Sequence, residues 1–401
     1  MQTQIGVAEL CAVIRDRIER SPQRRLTFCS FMELALYHPQ HGYYTTSASQ
    51  LGKSGDFVTS AHLGNDFAEL LAEQLVDLWR RLGMPQAFHW VEMGAGQGLL
   101  AHTILTYLHE RHPDCLAALH YTLIETSPAL RSAQQQRLES WRIQGFDIRW
   151  STWEEIPQET ITGCVFSNEL VDAFPVHRVT VTENGLQEDY VTLSEDPSRP
   201  FKSLLGPLST SRLTAYFDAL DIQIASPPYP QGYTTEVNLA ALDWMTQVAQ
   251  KLQQGYVLTI DYGYSADRYY SPLRSQGTLQ CYTQHAHHND PFINIGQQDI
   301  TAHVDFTTLS RRGEQCGLET LGNVPQELFL MALGLGDRLN ELAQLQGTDS
   351  ATVNYAIRRR QALHQLMNPL GLGKFSVLVQ GKGLATEAQR QLKGLTVPPL
   401  V

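Results

Sequence analysis

The chain has 401 residues, 42% of them hydrophobic and 18% charged, which is the composition of a folded globular protein and excludes a disordered one. Its formal net charge of −11 excludes a general basic footprint for DNA, RNA or anionic lipid and favours a cationic partner. No run of about 18 apolar residues and no signal-peptide core occur, and the six cysteines form no CxxC pair, so the expectation is no membrane span, no zinc ribbon, no disulfide framework and a cytoplasmic location.

Val7, Leu10, Cys11, Ile14 and Ile18 recur at helical spacing and predict an amphipathic opening helix. A second helix is expected from Ser30 to Tyr37, stopping before Pro39 and Gly42. Gly42 to Ser60, rich in Gly, Tyr, Thr and Ser, reads as an ordered loop. A third helix from Asn65 to Leu82 carries Phe67, Leu70, Leu71, Leu75 and Leu78 on one face. Strands are then predicted at His89 to Met93, Leu119 to Glu125, Asp147 to Ser151 and Gly163 to Ser167, each followed by a helical pattern or a tight turn, the rhythm of a parallel sheet wrapped by helices. From Val176 to about Pro230 the texture changes to short strands such as Arg178 to Thr182 and Pro-containing turns, which suggests an inserted lobe. The sheet resumes at Gly255 to Tyr262 and closes with Leu318 to Gly322 and Lys374 to Gln380, with helices from about Pro325 to Met367 between them.

The expected division is therefore a helical region and covering loop over 1–85, a first core segment over 86–175, an inserted substrate or partner lobe over 176–254, and a second core segment over 255–401 with a helical insertion near 325–368. The expected fold class is α/β: a Rossmann-like domain with a seven-stranded, mostly parallel sheet, an N-terminal helical extension and inserted lobes.

The strongest local signal is Val91-Glu92-Met93-Gly94-Ala95-Gly96-Gln97-Gly98, placed where a strand turns into a helix beginning near Leu99. Glycine there permits a tight turn and close approach of the backbone to a ligand, while the helix start presents free amides. A dinucleotide fingerprint, GxGxxG, would need glycine at position 99, which is Leu99. With Glu92 two positions before the first glycine the pattern reads ExGxGxG and points to S-adenosylmethionine, whose ammonium group Glu92 would face. Gly94, Ala95, Gly96 and Gly98 are the expected loop contacts.

The second strand ends in Glu125-Thr126, roughly 30 residues on, where one carboxylate can accept from both ribose hydroxyls; Glu125 can equally cap a helix starting at Ser127-Pro128. Thr152 and Trp153, after the third strand, are candidates beside the adenine. Ligands of open parallel sheets sit beyond the carboxyl ends of the strands. Asn168 and Glu169, after the fourth, are accordingly the catalytic candidates, with Asp172 a secondary one. A carboxylate there can grip a guanidinium by charge-assisted hydrogen bonds and orient its nitrogen.

Glu92 to Leu100 and Asn168 to Pro175 together resemble the MidA family. Further matching segments are Tyr37-His38-Pro39, Gly42-Tyr43-Tyr44, Gly55-Asp56-Phe57-Val58-Thr59-Ser60, Asp261-Tyr262-Gly263, Thr301-Ala302-His303-Val304-Asp305-Phe306 and Gly373-Lys374-Phe375. The resemblance spans residues 28–382. It implies a class I methyltransferase using S-adenosylmethionine, akin to mitochondrial members that dimethylate an arginine of a respiratory complex I subunit. It also implies a loop folding over the cofactor with contacts from Gly55, Asp56, Thr59 and Ser60. The chain departs from the family pattern at Ala95 and Gln97, where proline and a basic residue are usual, and at Ala61-His62, where Pro-Glu is usual.

Asp261 and His303 are further candidates, the first at the end of the fifth strand and the second as a general base, although Asp305 beside it also suits a helix cap. His285, His287, His288 and Asp290 lack the spacing of a metal site. Arg358, Arg359 and Arg360 read as a solvated helix face, and Leu328, Leu330, Met331, Leu333 and Leu335 as a core-facing helix. The function expected is methylation of an arginine on a protein client; the other reading is an assembly chaperone that binds the same cofactor without turnover.

Overall fold

The computed structural model describes residues 6–46, 60–283, 286–344 and 349–396. Two compact units emerge, each assembled from three stretches of chain.

The unit built from Val58–Leu170, Met245–Tyr262 and Ser310–Val401 is α/β. Its sheet contains β1 (Phe88–Met93), β2 (Leu119–Ile124), β3 (Asp147–Ser151), β4 (Ile161–Asn168), β5 (Leu252–Asp261), β6 (Glu319–Pro325) and β7 (Ser376–Lys382). The spatial order is β6-β7-β5-β4-β1-β2-β3. Pairing is mixed: β5 with β4, β4 with β1, β1 with β2 and β2 with β3 are parallel, whereas β7 runs antiparallel to both β5 and β6. β4 and β5 are buried along almost their whole length, as strands covered on both faces must be, and both read as near-continuous apolar runs. Trp90 on β1 stacks on Phe166 on β4 with ring centroids 5.1 Å apart.

Helices Asn65–Arg81 and Leu99–Arg111 belong to the same core, the first burying Phe67, Leu70, Leu71, Leu75 and Leu78 as its periodicity predicts. Two readings need correction here. In helix Gln326–Leu333, Leu330 and Leu333 are buried but Leu328 and Met331 are 40% and 38% exposed, because a run of consecutive apolar residues on a helix cannot all face one core. Arg359 is not simply solvated: it grips the buried Asp66 in a bidentate pair at 2.5 and 2.8 Å, which raises its pKa further.

The other unit is built from Met1–Phe57, Val171–Trp244 and Gly263–Leu309. Strands Gly185–Leu193, His177–Thr182, Thr234–Val237, Phe201–Gly206 and Leu26–Thr27 form an antiparallel sheet of five. Helices Ala8–Arg20 and Phe28–Tyr37 bury Leu10, Ile14, Ile18, Phe28, Phe31 and Met32 in a core shared with Val191, Phe201 and Ile300. The second helix starts two residues before the expected Ser30, since Thr27 serves as its N-cap and accepts the Ser30 amide at 3.1 Å. A three-stranded sheet joins Gln280–Thr283 to Ala286–His288 and Asp299–Thr301.

Candidate cofactor and active site

The glycine loop connects β1 to helix Leu99–Arg111. Gly94, Gly96 and Gly98 adopt φ of 80°, 52° and 73°, a left-handed conformation that L side chains pay to enter. A side chain at Gly94 would press on Leu170 and one at Gly98 on Gln134. At Gly96 a Cβ would meet no described atom within 4 Å, so the loop turns open space toward its own backbone there. Ala95 is buried.

Glu92, the last but one residue of β1, is buried, and its Oε2 accepts from the Tyr121 hydroxyl at 2.5 Å. The pairing follows from register: Trp90 lies opposite Tyr121 on β2, so Glu92, two residues on, shares their face. Burial raises the Glu92 carboxyl to about 7, opposed by the Tyr121 hydrogen bond.

Glu125 follows β2 directly. Its Oε1 accepts the Ser127 amide at 2.7 Å, and its Oε2 accepts from Gln134 Nε2 at 3.0 Å. Ser127 in turn caps helix Pro128–Ile143. Glu125 thus does shape the helix start, and burial raises its pKa against these donors. Thr126 beside it is exposed. After β3, Trp153 is buried and donates its indole N–H to Met93 Sδ at 3.1 Å, while the Thr152 amide is engaged by Glu155 at 2.8 Å.

Beyond β4, Glu169 has φ of 49°, an uncommon state for a residue with a side chain. Four hydrogen bonds hold this segment there. Its amide donates to Ile260 O at 2.9 Å, and the next amide, Leu170, donates to Asp261 Oδ2 at 3.1 Å. Its Oε1 accepts from the Ser60 amide at 3.1 Å and from Asn168 Nδ2 at 3.2 Å. Asp261 is fully buried and also accepts the Tyr262 amide at 2.8 Å, so its two oxygens tie the ends of β4 and β5 together. Among the described residues the buried Asn168 Oδ1 has no hydrogen-bond partner, a polar atom that a bound polar group can satisfy. Gly55, Asp56 and Thr59 lie outside the described residues.

The structure thus brings Ser60, Asn168, Glu169 and Asp261 together, and Glu92, Glu125 and the glycine loop line the adjoining strand ends of the same sheet. Asp172 and His303 belong to the other unit. There the Asp172 carbonyl accepts from the Ala302 amide at 2.9 Å. The His303 ring stacks on Tyr264 at 4.9 Å, and its amide donates to the Thr278 hydroxyl at 3.1 Å. Asp305 accepts the Thr307 and Thr308 amides at 3.0 and 3.2 Å, the helix cap anticipated for it. His285 lies outside the described residues, and no metal-holding group of His, Cys, Asp or Glu occurs among those described. Tyr121 and Gln134 escaped the motif reading. The second carried a signal, as a lone amide on the apolar stripe Leu130, Gln134, Leu138, Trp141.

Three carboxylates and a glycine turn at consecutive strand ends fit a ligand with a ribose, an ammonium and close backbone contact. Comparison with known proteins agrees. Residues 70–324 match the family described as "Putative S-adenosyl-L-methionine-dependent methyltransferase". The chain is 29% identical over 336 residues to the "Protein arginine methyltransferase NDUFAF7 homolog, mitochondrial" of Drosophila melanogaster, covering 78% of this chain and 72% of that one. It is 27% identical over 378 residues to the Homo sapiens "Protein arginine methyltransferase NDUFAF7, mitochondrial", covering 87% and 78%. A crystal structure of a Burkholderia thailandensis protein bound to S-adenosyl-homocysteine superposes with a TM-score of 0.81 at 29% identity, covering 96% of this chain and 94% of that one. These names overturn the cytoplasmic expectation: the Drosophila and human relatives are mitochondrial. Six free cysteines distinguish a reducing compartment from an oxidising one, and more than one compartment is reducing. A glycine loop in left-handed conformation, carboxylates at the ends of β1 and β2 and a match over most of the chain have one common meaning: the protein belongs to this family of S-adenosyl-L-methionine-dependent methyltransferases, with S-adenosylmethionine as its cofactor.

Proposed function

We propose that the protein methylates an arginine side chain of a protein client, of the respiratory complex I type that the resemblance to the MidA family implies. The observation that carries this reading is the agreement of relatives named protein arginine methyltransferases over most of the chain. The site chemistry supports it. Glu92, the glycine loop and Glu125 would hold the cofactor, with Trp153 and Thr152 toward its adenine and Ser60 beside Glu169. When bound, S-adenosylmethionine supplies an electrophilic methyl on a sulfonium and leaves as S-adenosylhomocysteine.

Glu169, with Asn168 donating to it, is an anion held in place by neighbours, suited to grip a guanidinium and aim one nitrogen. Arginine stays protonated in water, so no strong base is required before binding. The methylated nitrogen loses its proton afterwards, to solvent, and the guanidinium keeps its charge. Asp261 braces the loop bearing Glu169 and so positions it.

The test is transfer of a labelled methyl from S-adenosylmethionine into lysate protein or a purified complex I subunit, followed by acid hydrolysis. Label recovered in methylarginine is the expected result. Label recovered only in another residue would redirect the substrate reading, and cofactor binding with no transfer to any client would favour a chaperone.

A further inference from the structure

The left-handed loop poses an accounting problem: amides turned to a ligand leave carbonyls turned away, and these need donors of their own. One helix provides them. From Pro128–Ile143, Gln134 Nε2 donates to Gly96 O at 2.8 Å and Arg137 Nε donates to Gln97 O at 2.8 Å. Gln134 is fully buried and does more. Its Nε2 also donates to Glu125 Oε2 at 3.0 Å, and its Oε1 accepts from the Trp150 indole at 2.8 Å. A side-chain amide offers two N–H donors and one carbonyl, so every direction of this group is committed to a different segment: the glycine loop, the end of β2, and β3. The orientation is forced, because the flipped amide would point its oxygen at two acceptors.

We propose that Gln134 is a positioning residue that locks the glycine loop and Glu125 into one mutual geometry, so that the two ends of the cofactor site are energetically coupled through a side chain that does not itself contact the ligand. The inference rests on the cofactor role of Glu125 proposed above. An amide suits the task better than its alternatives. A carboxylate would repel Glu125, and an aliphatic side chain would take from Gly96 O and Glu125 Oε2 the donor they share.

S-adenosylhomocysteine binding to the full chain, measured by calorimetry, tests it. Gln134→Leu should weaken binding roughly tenfold, the worth of about one buried hydrogen bond to a charged group. Trp150→Phe, which removes only the bond on the β3 side, should stay within about threefold. Combined with Glu125→Gln, Gln134→Leu should lose less than the product of the single losses, the mark of coupled residues. Should Gln134→Leu fail to fold, Gln134→Glu keeps the volume and should bind poorly at pH 8 but recover toward wild type at pH 6, as the paired carboxylates share a proton. Binding by Gln134→Leu within twofold of wild type, a Trp150→Phe loss as large as that of Gln134→Leu, or a Gln134→Glu variant without recovery at pH 6 would each overturn the proposal. If Glu125→Gln binds as wild type, the reading of Glu125 fails and takes the coupling with it. If Glu125→Gln weakens binding and Gln134→Leu does not, the coupling alone fails.

Discussion

Replacing Glu169 by glutamine isolates the charge that arginine recognition would need. Glutamine keeps the length and the planar end group, and it meets the same left-handed backbone cost at φ of 49°. The bonds from Ser60 and Asn168 at 3.1 and 3.2 Å persist but become neutral. For a half-buried group this should cost about 1 kcal/mol of stability, too little to unfold a domain. Catalysis should suffer more. A charge-assisted grip on a guanidinium that reverts to a neutral one forfeits roughly 3 kcal/mol of transition-state orientation, which corresponds to about 100-fold in rate. The assay is single-turnover transfer of labelled methyl to the client, run beside calorimetry with S-adenosylhomocysteine. Rate should fall by about 100-fold or more while cofactor affinity stays within about twofold. Glu169→Gly adds a control: it relieves about 1 kcal/mol of backbone strain and should be at least as inactive. A Glu169→Gln enzyme that methylates at the wild-type rate would refute the reasoning.

Gly96→Val should abolish S-adenosylhomocysteine binding while leaving a folded protein by circular dichroism, because a branched side chain would occupy the space that backbone contact with the cofactor requires; unchanged affinity would make the loop merely structural. Glu92, raised to about 7 by burial, holds a proton in the fold that it loses near pH 4.3 when unfolded. Its contribution is therefore favourable below pH 4.3, declines as pH rises between 4.3 and 7, and has cost about 4 kcal/mol above that. Glu92→Gln should accordingly gain stability over the apo wild type at pH 8 but not at pH 4, and a difference in melting temperature that is constant with pH would contradict this. Arg359→Met strands the buried Asp66, at a cost of about 2 to 3 kcal/mol. Urea unfolding should show that loss, and Asp66→Asn in the same background should recover part of it.

Much of the sheet was legible because each strand is an apolar run of strand length bounded by turn residues. Asp147–Ser151 has the predicted limits, while β4 extends beyond its expected ends and β5 begins three residues early and stops one residue short, because the added residues of the two strands pair with each other beyond their most apolar stretch. The glycine loop was legible from spacing alone. What joins distant segments was not. Arg359 meets Asp66 293 positions away, and nothing in a local arginine run marks one member for burial. Gln134 and Tyr121 act through register and helix phase, which a motif does not contain. Asp261 stands at a strand end where a ligand contact and a loop brace have the same local sequence; only its two backbone donors reveal the brace. His303 was singled out by its neighbours in the chain, yet it belongs to the unit that lacks the glycine loop.

The place of β7 has a consequence for synthesis. It lies between β5 and β6, so the edge of β5 that it covers is exposed from the moment β5 leaves the ribosome. About 115 residues separate Asp261 from Ser376, a delay of roughly 6 to 23 s at about 5 to 20 residues per second. Throughout that interval an apolar strand displays an unpaired row of amides and carbonyls, the very template on which chains aggregate. β6 emerges before β7, so it cannot take its final place in the sheet until the strand that separates it from β5 has been made.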